Sequence, residues 1–104
     1  MGQAGPDEGA KIETIKTYLR RNLPDFSVHD WADRHHRNHY IMLYRVQDGA
    51  SHKVTITRRF LDGCQTPEAI QGFVDEHALS EKIRRAGAQL ITVDTSEISL
   101  HTPR

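Results

Sequence analysis

Two segments in the first half of the chain have the side-chain pattern of β-strands. Residues 40–46 form an apolar run rich in aromatic and β-branched side chains, and residues 53–61 largely alternate apolar and polar positions. The dipeptide Asp48-Gly49 lies between them and tolerates the positive φ angles of a tight turn. The pattern therefore predicts a β-hairpin.

A strand sends successive side chains to opposite faces, so the predicted hairpin has a core face and an outer face. A two-residue turn would pair Leu43 with Val54 and Ile41 with Ile56 on the core face. A four-residue loop through Ser51 would shift these pairs by two residues and keep each side chain on the same face. The assignment of the faces therefore does not depend on the loop.

The outer face of the predicted hairpin combines aromatic rings with cations and hydroxyl groups. Its members are Tyr40, Met42, Tyr44, Lys53, Thr55, Thr57 and Arg59. Bases of single-stranded nucleic acid stack on such rings at about 1–3 kcal/mol each, and basic side chains contact the phosphates. Ordinary cross-strand packing, or burial against a partner subunit, requires the same residue types. Arg58 falls among the core positions, which indicates a bulge, an edge position or a buried acidic partner.

An amphipathic helix is predicted before the hairpin, from about Asp7 to the residue before Pro24. Its apolar stripe recurs at spacings of three and four and consists of Ile12, Ile15, Tyr18 and Leu19. A short strand over residues 25–31 follows, with Phe26 and Val28 directed toward the core. The first helix and a third strand therefore precede the hairpin.

A second helical region follows the hairpin and a turn at residues 62–65. Thr66, Pro67 and Glu68 form a helix-start signal, because threonine caps, proline suits the first helical position and glutamate favours the positive end of the dipole. The apolar stripe of this helix consists of Ile70, Phe73, Val74 and His77.

The apolar stripe then changes phase. Leu79, Ile83 and Ala86 would lie roughly opposite the first stripe if the helix were ideal and continuous. We therefore predict a break near Ala78 and a short further helix that ends at Gly87, the residue type that most often terminates helices. A single bent helix buried on two sides is the alternative.

Residues 90–93 and 97–100 predict the last two strands. The elements follow the order α-β-β-β-α(α)-β-β, which indicates an α+β fold with a mainly antiparallel sheet of four or five strands and helices packed on one face. We expect residues 1–6 to be disordered, residues 7–101 to form a single domain, and residues 102–104 to be frayed.

The composition limits the number of domains, the source of any affinity for nucleic acid and the expected cellular location. The 104 residues suit one domain, and the balance of 14 basic and 14 acidic residues means that any affinity for nucleic acid must come from local basic clusters. The single cysteine, Cys64, excludes an intramolecular disulfide and fits a reducing compartment. No signal-peptide pattern or bilayer-length apolar run is visible, so we expect a cytoplasmic protein that does not bind membranes.

Residues 33–39 form a segment rich in histidine and arginine. The side chains in it that suit Zn²⁺, Ni²⁺ or Cu²⁺ are Asp33, His35, His36 and His39. Arg34 and Arg37 would place two fixed positive charges inside such a site. A basic loop that contacts phosphates is therefore favoured over a metal site.

Motifs of catalysis are not visible in the sequence. Cys64 lies between a strand end and a helix start, where a helix dipole lowers thiol pKa values, but no base accompanies it in a motif. Phosphate-binding loops, dinucleotide fingerprints and nucleophile elbows are absent. We therefore expect a protein without catalytic residues or a cofactor.

The sequence favours a small non-catalytic binding module, with RNA or single-stranded DNA as its partner. The residues predicted to contact nucleic acid are Tyr40, Tyr44, Lys53, Arg59, Arg34 and Arg37. The alternative is a protein-interaction or chaperone-like homodimer that buries the same face, because Tyr, Met and Arg are also enriched in protein interfaces. Metal binding by the histidine-rich loop is the third hypothesis.

Overall fold

The computed structural model describes residues 5–33, 35, 37–63, 66–87, 89–95 and 97–102, with side chains described from residue 9 onward. These residues form five strands and four helices. The elements are α1 (Gly5–Asn22), β1 (Ser27–Ala32), β2 (His39–Tyr44), β3 (Ser51–Ile56), α2 (Arg58–Gly63), α3 (Pro67–Glu76), α4 (Leu79–Ala86), β4 (Leu90–Val93) and β5 (Ile98–His101). Helix α1 begins two residues before the predicted start.

The five strands form one sheet in the order β1-β2-β3-β4-β5. Three neighbouring pairs are antiparallel, and β3 pairs with β4 in parallel. A parallel pair needs a long crossover connection, which α2, α3 and α4 supply. The predicted α+β class and mainly antiparallel sheet are therefore confirmed, and the sheet is mixed because of this one crossover. The order of elements matches the prediction except for α2, which replaces the predicted end of the third strand and part of the turn after it.

The core lies between the helices and one face of the sheet. Side chains from α1, α2, α3 and α4 are buried in one cluster with the core-facing side chains of the strands. Fully buried members of this cluster include Ile15, Leu19, Ile41, Leu43, Val54, Ile56, Phe60, Ile70, Ile83 and Ile91. The predicted packing of the helices on one face is confirmed.

The hairpin keeps the predicted faces but not the predicted register. Ile41 pairs with Val54, a shift of two residues from the pairs of a two-residue turn. Arg45 N–H donates to Ala50 O at 2.8 Å, so residues 46–49 form a four-residue loop that ends before Ser51. The shift is an even number of residues, and every side chain therefore stays on its expected face.

Strand β3 ends at Ile56, and the predicted extension to residue 61 is wrong. Thr57 begins a helix instead: its Oγ1 accepts the backbone N–H of Phe60 at 3.1 Å and donates to Asp94 at 3.0 Å. Arg58 and Arg59 therefore lie on α2, where the alternation of a strand no longer applies. This resolves the anomaly of Arg58, which is neither a bulge nor a core residue.

The predicted break between the second and third apolar stripes is confirmed. Thr66 caps α3 by accepting the N–H of Ala69, and the helix ends at Glu76. Ala78 then adopts a left-handed backbone conformation with φ of 52°, and α4 begins at Leu79. This residue rotates the chain so that both Val74 and Leu79 are buried in the same core.

Candidate functional site

The face of the sheet opposite to the helices carries the candidate site, and we call the outward side chains of the five strands the open face. Strand pairing arranges them in rows. The first row is Trp31, Tyr40, Thr55, Thr92 and Ser99; the second includes His29, Met42 and Lys53; the third is Ser27, Tyr44 and Ser51. Leu90 and His101 form a further pair. None of these outward positions in the described strands is acidic.

Tyr40 lies between Trp31 and Thr55 in the first row and is contacted from both neighbouring strands. The Trp31 ring lies 5.5 Å from the Tyr40 ring, measured between centroids, with 32° between the planes. Lys53 Nζ lies 4.5 Å from the Tyr40 centroid, within the range of a cation–π contact. The Tyr40 hydroxyl donates to Asp33 at 3.1 Å, and burial together with this bond raises the pKa of Tyr40.

Two aromatic side chains on the open face are available to a ligand. Trp31 is 43% exposed at one end of the face, and Tyr44 is 44% exposed at the other end. The remaining apolar side chains here are Met42, which is half-buried, and Leu90, which is 38% exposed. An open face with separated, accessible rings and a cation between them suits flat ligands that carry negative charge.

The structure brings together three of the predicted nucleic-acid-binding residues, places Arg37 in a turn near one end of the face and separates Arg59 from them. Tyr40, Tyr44 and Lys53 share the open face, as predicted. Arg59 is exposed on α2 and does not lie beside the tyrosines, because β3 ends before it. Arg37 is exposed in the β1–β2 turn, near the end of the first row, with φ of 63°. The predicted role of Arg34 falls outside the described residues.

Trp31 belongs to this site and was not among the predicted residues. Its position on the open face could have been found from the sequence, because it lies three residues after the core-directed Val28 and so points to the opposite side. The sequence alone does not show which residue lies next to Trp31. Only the pairing of β1 with β2 places Trp31 beside Tyr40.

The histidine-rich segment does not form a metal centre in the described part of the chain. No group of three or more His, Cys, Asp or Glu side chains suited to a metal ion occurs among the described residues. His39 lies on β2 rather than in the loop, and its Nε2 is 2.7 Å from Asp30 Oδ2. His36, and the hypothesis that Cys64 is reactive, lie outside the described residues.

His39 belongs to a polar cluster at the β1 edge of the core face. Lys16 Nζ donates to Asp30 Oδ1 at 2.6 Å, and Asp30 Oδ2 contacts His39. The Lys16 and His39 side chains are each 12% exposed and that of Asp30 is 24% exposed. Burial disfavours the Asp30 carboxylate, but the hydrogen bonds from Lys16 and His39 outweigh it and lower the pKa of Asp30. This cluster holds α1 against β1.

A second ion-pair cluster lies at the hairpin end of the sheet. Arg45 donates to Asp25 at 2.7 Å and to Asp48 at 2.9 and 3.0 Å, and its guanidinium lies 4.7 Å from the Phe26 ring centroid. Hydrogen bonds from Arg45 lower the pKa of Asp48 to about 2. These carboxylates are already paired, so they add little negative potential to the nearby Tyr44 end of the open face.

On the helical side, a depression of about 280 Å³ lies between α1 and α3 and is lined by Glu13, Thr14, Thr17 and Gln71. No helix in the described residues combines the length and the apolar character that crossing a bilayer requires. Comparisons with protein-family models, with curated proteins and with solved structures found no match for this chain.

Proposed function

We propose that this protein is a small non-catalytic module that binds single-stranded nucleic acid on the open face of its sheet. The observation that supports the proposal is the exposure of Trp31 and Tyr44 on a face that none of the described helices covers. The strands carry no outward acidic side chain, and the nearby Asp33 carboxylate, just beyond β1, accepts a hydrogen bond from Tyr40. Unpaired bases stack on such rings, whereas bases in a duplex present only their edges.

Lys53 supplies the positive charge on this face. Lys53 lies in the row between that of Trp31 and that of Tyr44, and its ammonium reaches over the Tyr40 ring of the first row. A backbone phosphate that connects bases stacked on Trp31 and Tyr44 would therefore pass this cation. Arg37, exposed in the β1–β2 turn near the first row, offers a second cation for a phosphate, and the Asp33 carboxylate of the same turn accepts a hydrogen bond from Tyr40.

The overall charge balance limits the expected affinity. The chain has equal numbers of acidic and basic residues, so the protein has no general attraction for polyanions. Few phosphate contacts also mean a shallow salt dependence, with a slope of about 0.7 per neutralised phosphate on a logarithmic scale. Stacking must therefore supply most of the binding free energy.

The test uses the only tryptophan of the chain as a reporter. Titration with a single-stranded oligonucleotide should quench Trp31 fluorescence and raise the anisotropy of the labelled strand, and a hairpin duplex of the same composition should do neither. The affinity should weaken moderately between low and moderate salt. An oligonucleotide that leaves Trp31 fluorescence unchanged at low salt would overturn the proposal.

Self-association through the same face is the alternative function. Leu90 and Met42 support it, because they add apolar area to the rings of Trp31 and Tyr44. Size-exclusion chromatography with light scattering separates the two possibilities. A stable dimer with shielded Trp31 and no response to oligonucleotide would favour the interaction module, whereas a monomer that shifts on adding oligonucleotide would favour nucleic-acid binding.

A further inference from the structure

The two accessible rings of the open face, Trp31 and Tyr44, lie apart from each other. The distance between them limits which ligands can stack on both rings. Tyr40 is engaged by Trp31 on one side and by Lys53 on the other, so its ring is a spacer between them. Among the described residues of this face, Trp31 and Tyr44 are the ones that offer a large exposed aromatic surface. A ligand that stacks on both must therefore reach from the first row to the third.

The strand geometry sets the distance. Tyr44 is four residues beyond Tyr40 on β2, which is about 13 Å at roughly 3.3 Å per residue, and Trp31 lies one strand away, about 5 Å to the side. The two backbone positions are thus about 14 Å apart. Stacked bases are about 3.4 Å apart, so bases that follow one another directly cannot occupy both rings.

The row between the two rings is suited to the connecting nucleotides. His29, Met42 and Lys53 form it. The Lys53 side chain extends diagonally from this row toward the first row, where its ammonium lies 4.5 Å from the Tyr40 centroid. A strand that passes from Trp31 to Tyr44 crosses this row and brings its phosphates to the one lysine of the face.

The kind of sugar is suggested by the neighbours of Tyr44. Tyr44 pairs with Ser27 on one side and with Ser51 on the other. The Tyr44 stacking position therefore has a hydroxyl group on each neighbouring strand. The ribose 2′-hydroxyl both donates and accepts hydrogen bonds and is the group by which proteins distinguish RNA from DNA.

On the basis of the proposed function, we propose that the ligand is a run of about four unpaired RNA nucleotides whose two end bases stack on Trp31 and Tyr44. The three steps between the end bases must average about 4.7 Å to cover about 14 Å, so the intervening bases are not stacked at the usual spacing of about 3.4 Å. The intervening phosphates pass Lys53. A mononucleotide or dinucleotide contacts one ring only and binds weakly, so the ligand class is a segment of an RNA strand rather than a free nucleotide.

The test is a length series of oligouridylates of two, four and eight nucleotides, followed by Trp31 fluorescence, on the protein and on Tyr44→Ala. The affinity should rise more than about tenfold from two to four nucleotides and only about two- to threefold from four to eight, because the second ring is then occupied. Tyr44→Ala should weaken the four-nucleotide complex about tenfold and leave the two-nucleotide complex unchanged. Tyr44→Leu, which keeps an apolar side chain, controls for folding.

Each outcome has a defined meaning. If no length binds, the proposed function itself fails. If the affinity climbs as steeply from four to eight nucleotides as from two to four, or if Tyr44→Ala weakens both short ligands equally, the four-nucleotide span is overturned while the function stands. Binding of the matching deoxyuridylate as tightly as the RNA overturns the assignment of the sugar.

Discussion

The ammonium of Lys53 lies 4.5 Å from the centroid of the Tyr40 ring, although the two residues are not directly paired: Lys53 is opposite Met42, and Tyr40 is opposite Thr55. The contact is diagonal across two antiparallel strands, a distance that long side chains can cover. It places a cation in the middle of a face that otherwise has rings at its two ends. Tyr40 therefore orients Trp31 and Lys53 and is itself largely unavailable for stacking.

Removing the Tyr44 ring should weaken nucleic-acid binding. Tyr44→Ala is expected to lower the affinity for a single-stranded oligonucleotide by about 1–2 kcal/mol, roughly five- to thirtyfold, because one stacked base loses its platform. Fluorescence anisotropy measures the change. Tyr44→Phe keeps the ring and should bind nearly as the parent does.

Val46→Ala is the matched control for Tyr44. Val46 is 78% exposed in the hairpin loop and is not part of the open face. Val46→Ala should leave the affinity for the single-stranded oligonucleotide unchanged. Equal losses in Tyr44→Ala and Val46→Ala would indicate a general effect of exposed apolar surface rather than stacking.

Removing the Lys53 charge should change the salt dependence. Lys53→Gln is expected to lower the affinity about fivefold and to reduce the slope of log affinity against log salt by about 0.7, the value for one lost phosphate contact on a single strand. Lys53→Arg should retain the slope. Anisotropy titrations at several salt concentrations measure it.

The control for Lys53 is a cation on the other side of the molecule. The Arg85 side chain on α4 is 80% exposed and lies 3.8 Å from Glu81. Arg85→Gln should have no effect on the slope. A slope that falls equally in both variants would mean that general electrostatic attraction, not Lys53, is responsible.

The Lys16–Asp30–His39 cluster should make stability depend on acidity. The pKa of Asp30 is lowered in the folded state, so its stabilising effect is complete above about pH 4, the usual carboxyl value, and is lost as the pH falls through the folded value. Asp30→Asn should lower the free energy of unfolding at neutral pH by about 1–3 kcal/mol, because Lys16 loses its charged partner in a half-buried position. It should also flatten the decline of the free energy of unfolding as the pH falls below about 4, because the lowered Asp30 pKa no longer contributes.

Urea unfolding at a series of pH values measures both effects. Asp62→Asn is the surface control at neutral pH, since the Asp62 side chain is 68% exposed and its pair with Arg58 should contribute little. Parallel pH profiles for Asp30→Asn and the parent would show that the Asp30 pKa is not lowered.

Two glycine substitutions should change stability in opposite directions. Gly72 lies inside α3 with open space around it, so Gly72→Ala should stabilise the fold by about 0.5–1 kcal/mol. Gly87 ends α4 with φ of 58° and ψ of −121°, a conformation that side chains do not tolerate, and Gly87→Ala should destabilise by about 1–3 kcal/mol.

Gly87→Asn separates this explanation from an ordinary helix cap. Asparagine tolerates the left-handed helical region, but the ψ of Gly87 lies far from that region. Gly87→Asn should therefore destabilise as Gly87→Ala does. Thermal unfolding monitored by circular dichroism measures all three variants, and recovery of stability in Gly87→Asn would contradict the prediction.

Local signals predicted much of the helical part of the fold. The cap at Thr66 and the stop at Gly87 depend on hydrogen bonds and backbone angles within a few residues, and both appear as expected. The break at Ala78 could be placed because two apolar stripes on one ideal helix would face opposite directions. Each of these features is set by neighbours in the sequence.

The end of β3 was not predictable from alternation alone. Thr57 caps α2 through Phe60 N–H, which is a local bond, but it also donates to Asp94, which is 37 positions away. The residue types at 57–61 are also compatible with a strand. The contact of Thr57 with Asp94, which directly follows β4, depends on packing between distant segments. Because the predicted strand end was wrong, the predicted position of Arg59 on the open face was also wrong, and Arg59 lies on α2.

Alternation along each strand was enough to assign Tyr40, Tyr44 and Lys53 to one face of the hairpin, because a strand has a period of two whatever its register. Local sequence could not tell which strands lie side by side or whether helices cover the outer face, since both depend on contacts between distant segments. The crossover through α2, α3 and α4 packs the helices on the other face, and the β1–β2 pairing brings Trp31 to Tyr40. Long-range packing therefore created the candidate site from residues whose orientation was already encoded locally.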